Sequence, residues 1–171
     1  MCTKTFGSFL TLSLVIWLHA TSVQAIVVPY SATMNGEQAD AGAGTGSSGT
    51  GTGAFTFNTD TSEFAWDISW SGLTGTPTGM HFHGPGLPDQ NVGVQVGVGV
   101  ASNPVMGSAT LSTVQATELQ DGLWYLNLHT TTSPGGEIRG QVVPEPSALT
   151  LAALGLLSLL GFTRRRRHRT A

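Results

Sequence analysis

Apolar and polar residues alternate with a period of two along most of the central chain, the spacing of half-buried β-strands. The clearest case is Phe64-Ala65-Trp66-Asp67-Ile68-Ser69-Trp70. Here Phe64, Trp66, Ile68 and Trp70 share one face, and Ala65, Asp67 and Ser69 the other. Before it, an alternating run ends in Ala54-Phe55-Thr56-Phe57, across the polar turn Asn58-Thr59-Asp60-Thr61, so a hairpin is expected. Residues 26–34 read as a first strand that Pro29 keeps near an edge. Further strands are expected at 79–83, 92–100, 107–111, 123–129 and 137–143. In 92–100, valine stands at every second place with Gly or Gln between, which leaves one face nearly bare. Residues 41–48, almost wholly Gly, Ala, Ser and Thr, read as a flexible loop or linker. A single helix is expected over 112–121, where Ser112 and Gln115 have capping-box spacing and Gly122 supplies a stop. About eight short strands and one short helix predict an all-β fold, a single antiparallel β-sandwich or barrel.

Both ends break this pattern. Residues 1–25 hold Lys4, an apolar run over 9–18 and the small-residue close Val23-Gln24-Ala25, the layout of a secretory signal peptide. Residues 144–171 begin with Pro144-Glu145-Pro146, continue with an apolar run over 148–162 and end in a cluster of arginines over 164–169. The run predicts a C-terminal transmembrane helix. As a helix it covers about 22 Å against a hydrocarbon core of about 30 Å, and snorkelling arginines would have to make up the difference. On this reading the arginines stay cytoplasmic and the preceding domain lies outside, anchored in the inner membrane before processing. The chain thus divides into 1–25, a domain over 26–143, and the tail 144–171.

The domain's charge excludes one class of partner. Nine carboxylates face Arg139 alone, a formal −8 where the whole chain is −3, so no nucleic acid is expected. The one cysteine, Cys2, lies in the expected signal peptide and ahead of its apolar run, which argues against both disulfides and a lipoprotein anchor.

Three histidines remain in the domain. Alternation places Met80 and Phe82 on one face of their strand, and His81 and His83 on the other. In the later strand Trp124, Leu126 and Leu128 lie opposite Tyr125, Asn127 and His129. A final hairpin closing about Ser133 sets His129 across from Glu137 and Asn127 across from Arg139, with Cβ atoms about 5 Å apart. Imidazoles at i and i+2 of a strand reach one ion, and neutral nitrogen donors suit Zn or Cu. His81, His83 and His129 are therefore candidate metal ligands, with Glu137 a fourth ligand or a partner of His129. The competing reading is that these rings support the polar sheet face and its turns. No nucleophile, elbow-type serine or paired-carboxylate motif stands out.

Gly72-Leu73-Thr74-Gly75, followed by Met80-His81-Phe82-His83-Gly84-Pro85, resembles the middle of a CHRD domain, the module first described in chordin. Gly122 to Thr130, with Trp124-Tyr125-Leu126-Asn127-Leu128-His129, and then Pro134-Gly135-Gly136-Glu137-Ile138-Arg139-Gly140-Gln141 resemble that family's ending. After Glu37 the chain departs from the family, with Gln38-Ala39-Asp40 in place of prolines. The resemblance implies a β-rich extracellular module, linked in some members to binding of secreted signalling proteins, with no catalytic residues. The tail is similar to a PEP-CTERM sorting signal. That likeness implies a Gram-negative-type bacterium, recognition by an exosortase, cleavage near Pro144-Glu145-Pro146 and release to the cell surface or matrix.

The function expected from these features is that of an exported, non-enzymatic cell-surface or extracellular-matrix module. Its role is structural or adhesive, it needs no cofactor, and its partners are an exosortase, the membrane through 148–162, and a surface protein or polysaccharide. The alternative is a Zn- or Cu-binding module, or a single-metal redox enzyme, built on His81, His83 and His129.

Overall fold

The computed structural model describes residues 26–146. The signal peptide expected at 1–25 and the apolar and arginine-rich parts of the tail lie outside the described residues. The strands are β1 (Val27–Asn35), β2 (Thr50–Asn58), β3 (Glu63–Ser71), β4 (Pro77–His83), β5 (Val94–Gly97), β6 (Val105–Thr110), β7 (Tyr125–Thr130), β8 (Ile138–Gln141) and β9 (Val143–Pro144). One α-helix, α1 (Thr113–Gln120), lies between β6 and β7.

The strands run in the order β5-β4-β7-β8-β1-β2-β3-β6, with β9 added to β1 and every pairing antiparallel. The sheet folds over on itself about β1. One edge of β1 pairs with β2 along its whole length. The other meets β8 only at Asn35↔Arg139, and β9 at Tyr30↔Pro144 and Ser31↔Val143. The two halves then face each other through aromatic rings. Phe82 of β4 lies 5.3 Å from Phe55, 5.0 Å from Phe64 and 5.7 Å from Trp66, all from the β2–β3 half. Trp124 joins this cluster 5.9 Å from Phe64. The result is the expected antiparallel β-sandwich with one short helix.

Period-two alternation holds where it is expected. Phe64, Ile68, Met80, Phe82, Leu126 and Leu128 are fully buried. In β2 the inward positions are Gly51, Gly53, Phe55 and Phe57. A Cβ on Gly53 would strike the Phe55 ring, so the Gly-Thr repeat leaves that ring its place. α1 starts at Ser112 with the capping box to Gln115 formed in both directions, and Gly122 takes a φ of 73° just past its end.

Three expectations need correction. The C-terminal transmembrane helix, with inner-membrane anchoring and a membrane contact through 148–162, is not upheld. Among the described residues no helix is long and apolar enough to cross a membrane. The one α-helix among the described residues has 8 residues, about 12 Å at 1.5 Å per residue. The run over 148–162 lies outside the described residues, and its own length falls short of a hydrocarbon core. Second, the strand expected over 92–100 shrinks to four residues. As an edge strand it pairs with β4 alone, through a register shift between Phe82 and His83. Third, residues 41–48 are no free linker. They form a loop, the other half of that expectation, held down where Thr45 Oγ1 donates to the Glu137 carbonyl at 2.8 Å and Ser47 Oγ to its carboxylate at 2.6 Å.

Candidate functional site

β4, β7 and β8 turn one face into the aromatic core and present the other to a polar layer. Ladder register sets that layer: Gly79 pairs with His129, His81 with Asn127, His83 with Tyr125, and Asn127 in turn with Arg139. The three histidines that alternation assigned to this face do meet there. Their ring centroids are 5.2 Å (His81–His129), 5.8 Å (His81–His83) and 5.9 Å (His83–His129) apart. Each ring offers one nitrogen such that all three lie within 4.8 Å of one another.

The loop between β4 and β5 and the β7–β8 turn fix the rings from outside. His83 Nδ1 lies 2.9 Å from the Val92 carbonyl, and His129 Nδ1 lies 2.8 Å from the Pro134 carbonyl. A carbonyl only accepts, so each Nδ1 carries the hydrogen, and in the neutral ring Nε2 keeps its lone pair. Nε2 of His83 is buried with no hydrogen-bond partner among the described residues, and so is Nδ1 of His81. Burial lowers the pKa of His81, and the neighbouring His129 lowers it further. For His83 burial again dominates in lowering the pKa. The Val92 hydrogen bond opposes it, and His129, His81 and Arg139 reinforce it. Both rings are therefore neutral at neutral pH, the form in which imidazole binds a metal.

Two features of this layer escaped the sequence pattern. Tyr125 is sandwiched between the His83 ring, stacked at 5.0 Å and 7°, and the Arg139 guanidinium, whose Cζ sits 3.5 Å from the Tyr125 ring centroid. Arg139, 2% exposed, also donates to the carbonyls of Gln90 (2.9 Å) and Leu87 (3.0 Å). The domain's one positive side chain thus clamps the loop between β4 and β5 over the layer. A lone Arg among nine acids is legible; its partners, backbone carbonyls, are not.

Glu137 is placed elsewhere. The β7–β8 ladder ends at Leu128↔Ile138, and Gly136, at φ 122°, lets the chain swing past the Asn127 amide. The Glu137 carboxylate is buried in a shell of donors and stands outside the histidine group. Ser47 Oγ (2.6 Å) and Thr74 N (2.6 Å) donate to one oxygen. Thr130 Oγ1 (2.6 Å) and Gly75 N (3.2 Å) donate to the other. Burial pushes its pKa up, but the hydrogen bonds from Ser47, Thr130 and Thr74 outweigh this and hold it at about 2. Glu137 therefore ties two loops to the end of β7, as an anion at neutral pH. The group of His, Cys, Asp or Glu side chains placed to share an ion among the described residues is His81, His83 and His129.

Val142 is the last fully buried residue before the Pro-Glu-Pro sequence, and its N–H donates to the Trp124 carbonyl at 2.9 Å. Val143, Pro144, Glu145 and Pro146 are all exposed. Pro144 pairs with Tyr30 within β9, and Glu145 N donates to the Pro29 carbonyl at 3.0 Å.

A family model described as CHRD domain matches residues 30–142. A second, described as PEP-CTERM protein-sorting motif, matches residues 142–167. No curated protein and no solved structure matches the chain.

Proposed function

The chain belongs to the CHRD domain family and ends in a PEP-CTERM sorting motif, and from that premise we propose that its β-sandwich is a surface-delivered adhesive unit cut from its tail near Pro144-Glu145-Pro146. It is a secreted, non-enzymatic structural or adhesive module, and its sorting motif is a substrate of an exosortase. Residues 1–25 act as the export signal, 26–143 as the mature domain and 144–171 as the removable tail. A polysaccharide or protein of the cell surface is the adhesive partner.

The observation that carries this reading is the coincidence of two boundaries. The CHRD match ends, and the sorting match begins, at residue 142, where the last core side chain is buried. Everything from Val143 to Pro146 is exposed, so a cut there leaves every core contact in place. Prolines at 144 and 146 also keep the segment extended, the form a processing enzyme accepts.

The test is the mass and location of the chain in its producing cell. The wild type should be recovered at the surface with its C-terminus near residues 144–146. A Glu145→Ala/Pro146→Ala variant should stay full length and fail to reach the surface. A variant processed and delivered like the wild type would overturn the proposal.

A further inference from the structure

We propose that His81, His83 and His129 form a three-nitrogen site for a borderline first-row transition ion, Cu2+ or Zn2+. This goes beyond the adhesive reading and does not depend on it.

Three independent observations support it. The rings come from two strands yet converge until one nitrogen of each lies within 4.8 Å of the others. An ion with metal–nitrogen bonds of about 2.0–2.1 Å holds tetrahedral ligands about 3.3 Å apart, so small rotations of the rings complete the set. The lone pairs are also in the right state. Val92 and Pro134 carbonyls take the Nδ1 hydrogens of His83 and His129, the arrangement that orients a metal-bound imidazole from behind. And the nitrogens have little else to do. His83 Nε2 and His81 Nδ1 are buried without a hydrogen-bond partner among the described residues, and such groups are rare unless an ion or a ligand uses them. Nε2 of the third ring, His129, meets only Asn127 Nδ2, at a long 3.5 Å.

The surroundings leave the ion room and a way in. His81 pairs with Gly97 on its β5 side and His129 with Gly79 on β4, so no side chain covers the rings from those two positions, and Asn127 is the neighbour of His81 on β7. A Cβ on Gly97 would meet nothing within 4 Å. His81 and His129 are only partly buried, which opens the cluster to solvent. Arg139, the nearby cation, is committed to carbonyls and to the Tyr125 ring. With Glu137 engaged elsewhere, the donor set is three imidazoles, and solvent completes the shell. That set suits Cu2+ and Zn2+ and rejects Ca2+ and Mg2+, which demand oxygen.

The experiment loads the purified full chain with Cu2+, Zn2+ or Ca2+ in separate arms, dialyses it and counts retained ions. One equivalent of Cu2+ or Zn2+ and no Ca2+ is expected. The His81→Gln/His129→Gln variant, altered only at partly buried rings, should bind Cu2+ and Zn2+ about 100-fold more weakly or worse. Its metal-free unfolding temperature should stay within about 3 °C of the wild type. Pulsed paramagnetic resonance of the Cu2+ form should show three imidazole nitrogens, and this decides the matter even if the variant fails to fold. Retention of Ca2+ alongside the other ions, an unweakened variant, no retained ion, or fewer than three imidazoles would each overturn the proposal.

Discussion

Glu137 shows most sharply what a single residue does here, because it collects donors from Ser47, Thr74, Gly75 and Thr130 while its own backbone leads into β8. Its carboxylate sits at about 2, below the ordinary 4.5. A depressed folded pKa adds stability that is fully present above about 4.5 and is lost as pH falls towards about 2. Glu137→Gln replaces an all-acceptor group by one that turns an N–H2 towards donors. It should cost about 2–3 kcal/mol near neutral pH, as for a buried hydrogen-bonded charge. Thermal unfolding followed from pH 7 to 2 should show the gap between variant and wild type closing with acid. A gap that stays constant to pH 2 would show that the carboxylate charge is not what matters. The same residue marks a limit of sequence reading. Alternation put His81, His83 and His129 on one face correctly, because each lies inside a paired strand. It assigned Glu137 to that face too, and failed because Gly136 breaks the ladder one residue earlier. The donors around Glu137 come from two separate loops and the end of β7, and nothing in a Ser/Thr-rich composition tells which hydroxyls will converge.

At the scale of elements, α1 was the most legible, since its stop and start are local chemistry. Ser112 and Gln115 close the capping box, and the Gln115 Nε2 also donates to the Gln95 carbonyl (3.3 Å) and Oε1 (3.2 Å) near the edge of the sheet. Gln115 thus serves helix and β5 together. Ser112→Ala should cost about 1 kcal/mol, the usual loss of an N-cap. Gln115→Ala should cost more in denaturant unfolding and should also speed amide hydrogen exchange in β5, which Ser112→Ala should leave unchanged. Equal effects of both substitutions on β5 would mean that the Gln115–Gln95 bonds contribute nothing. Strand ends were less legible than strand cores. The stretch 137–143 reads as one strand, and β8 and β9 do run on along β1 in a single register, Asn35↔Arg139 being followed by Ser31↔Val143 and Tyr30↔Pro144, with only a short break between them. The break falls at Val142, whose side chain enters the core and whose N–H goes to Trp124. Where a ladder breaks is decided by tertiary packing, and period-two patterning carries no mark of it.

At the scale of the whole molecule, the same residue decides where the domain ends. The two halves of the sheet are joined through β1, and beyond the short β1–β8 contact the closing segment is Val142 with β9. Val142 is fully buried, whereas Val143 is 47% exposed. A processing cut beyond Val143 should therefore be nearly free of cost to the fold, while a cut one residue before Val142 should not. Chains ending at residues 146, 143 and 141 test this directly. The first two should unfold cooperatively at nearly the same denaturant concentration, apart from the small loss of the β9 pairing. The third forfeits a buried valine, about 1.5–3 kcal/mol, together with the bond to Trp124. A gradual decline across all three would indicate that β9 and not Val142 closes the sandwich. The step matters for function, because an adhesive module released by proteolysis must keep its stability after the cut. Where the core stops and the sorting motif begins is the boundary at which both demands are met.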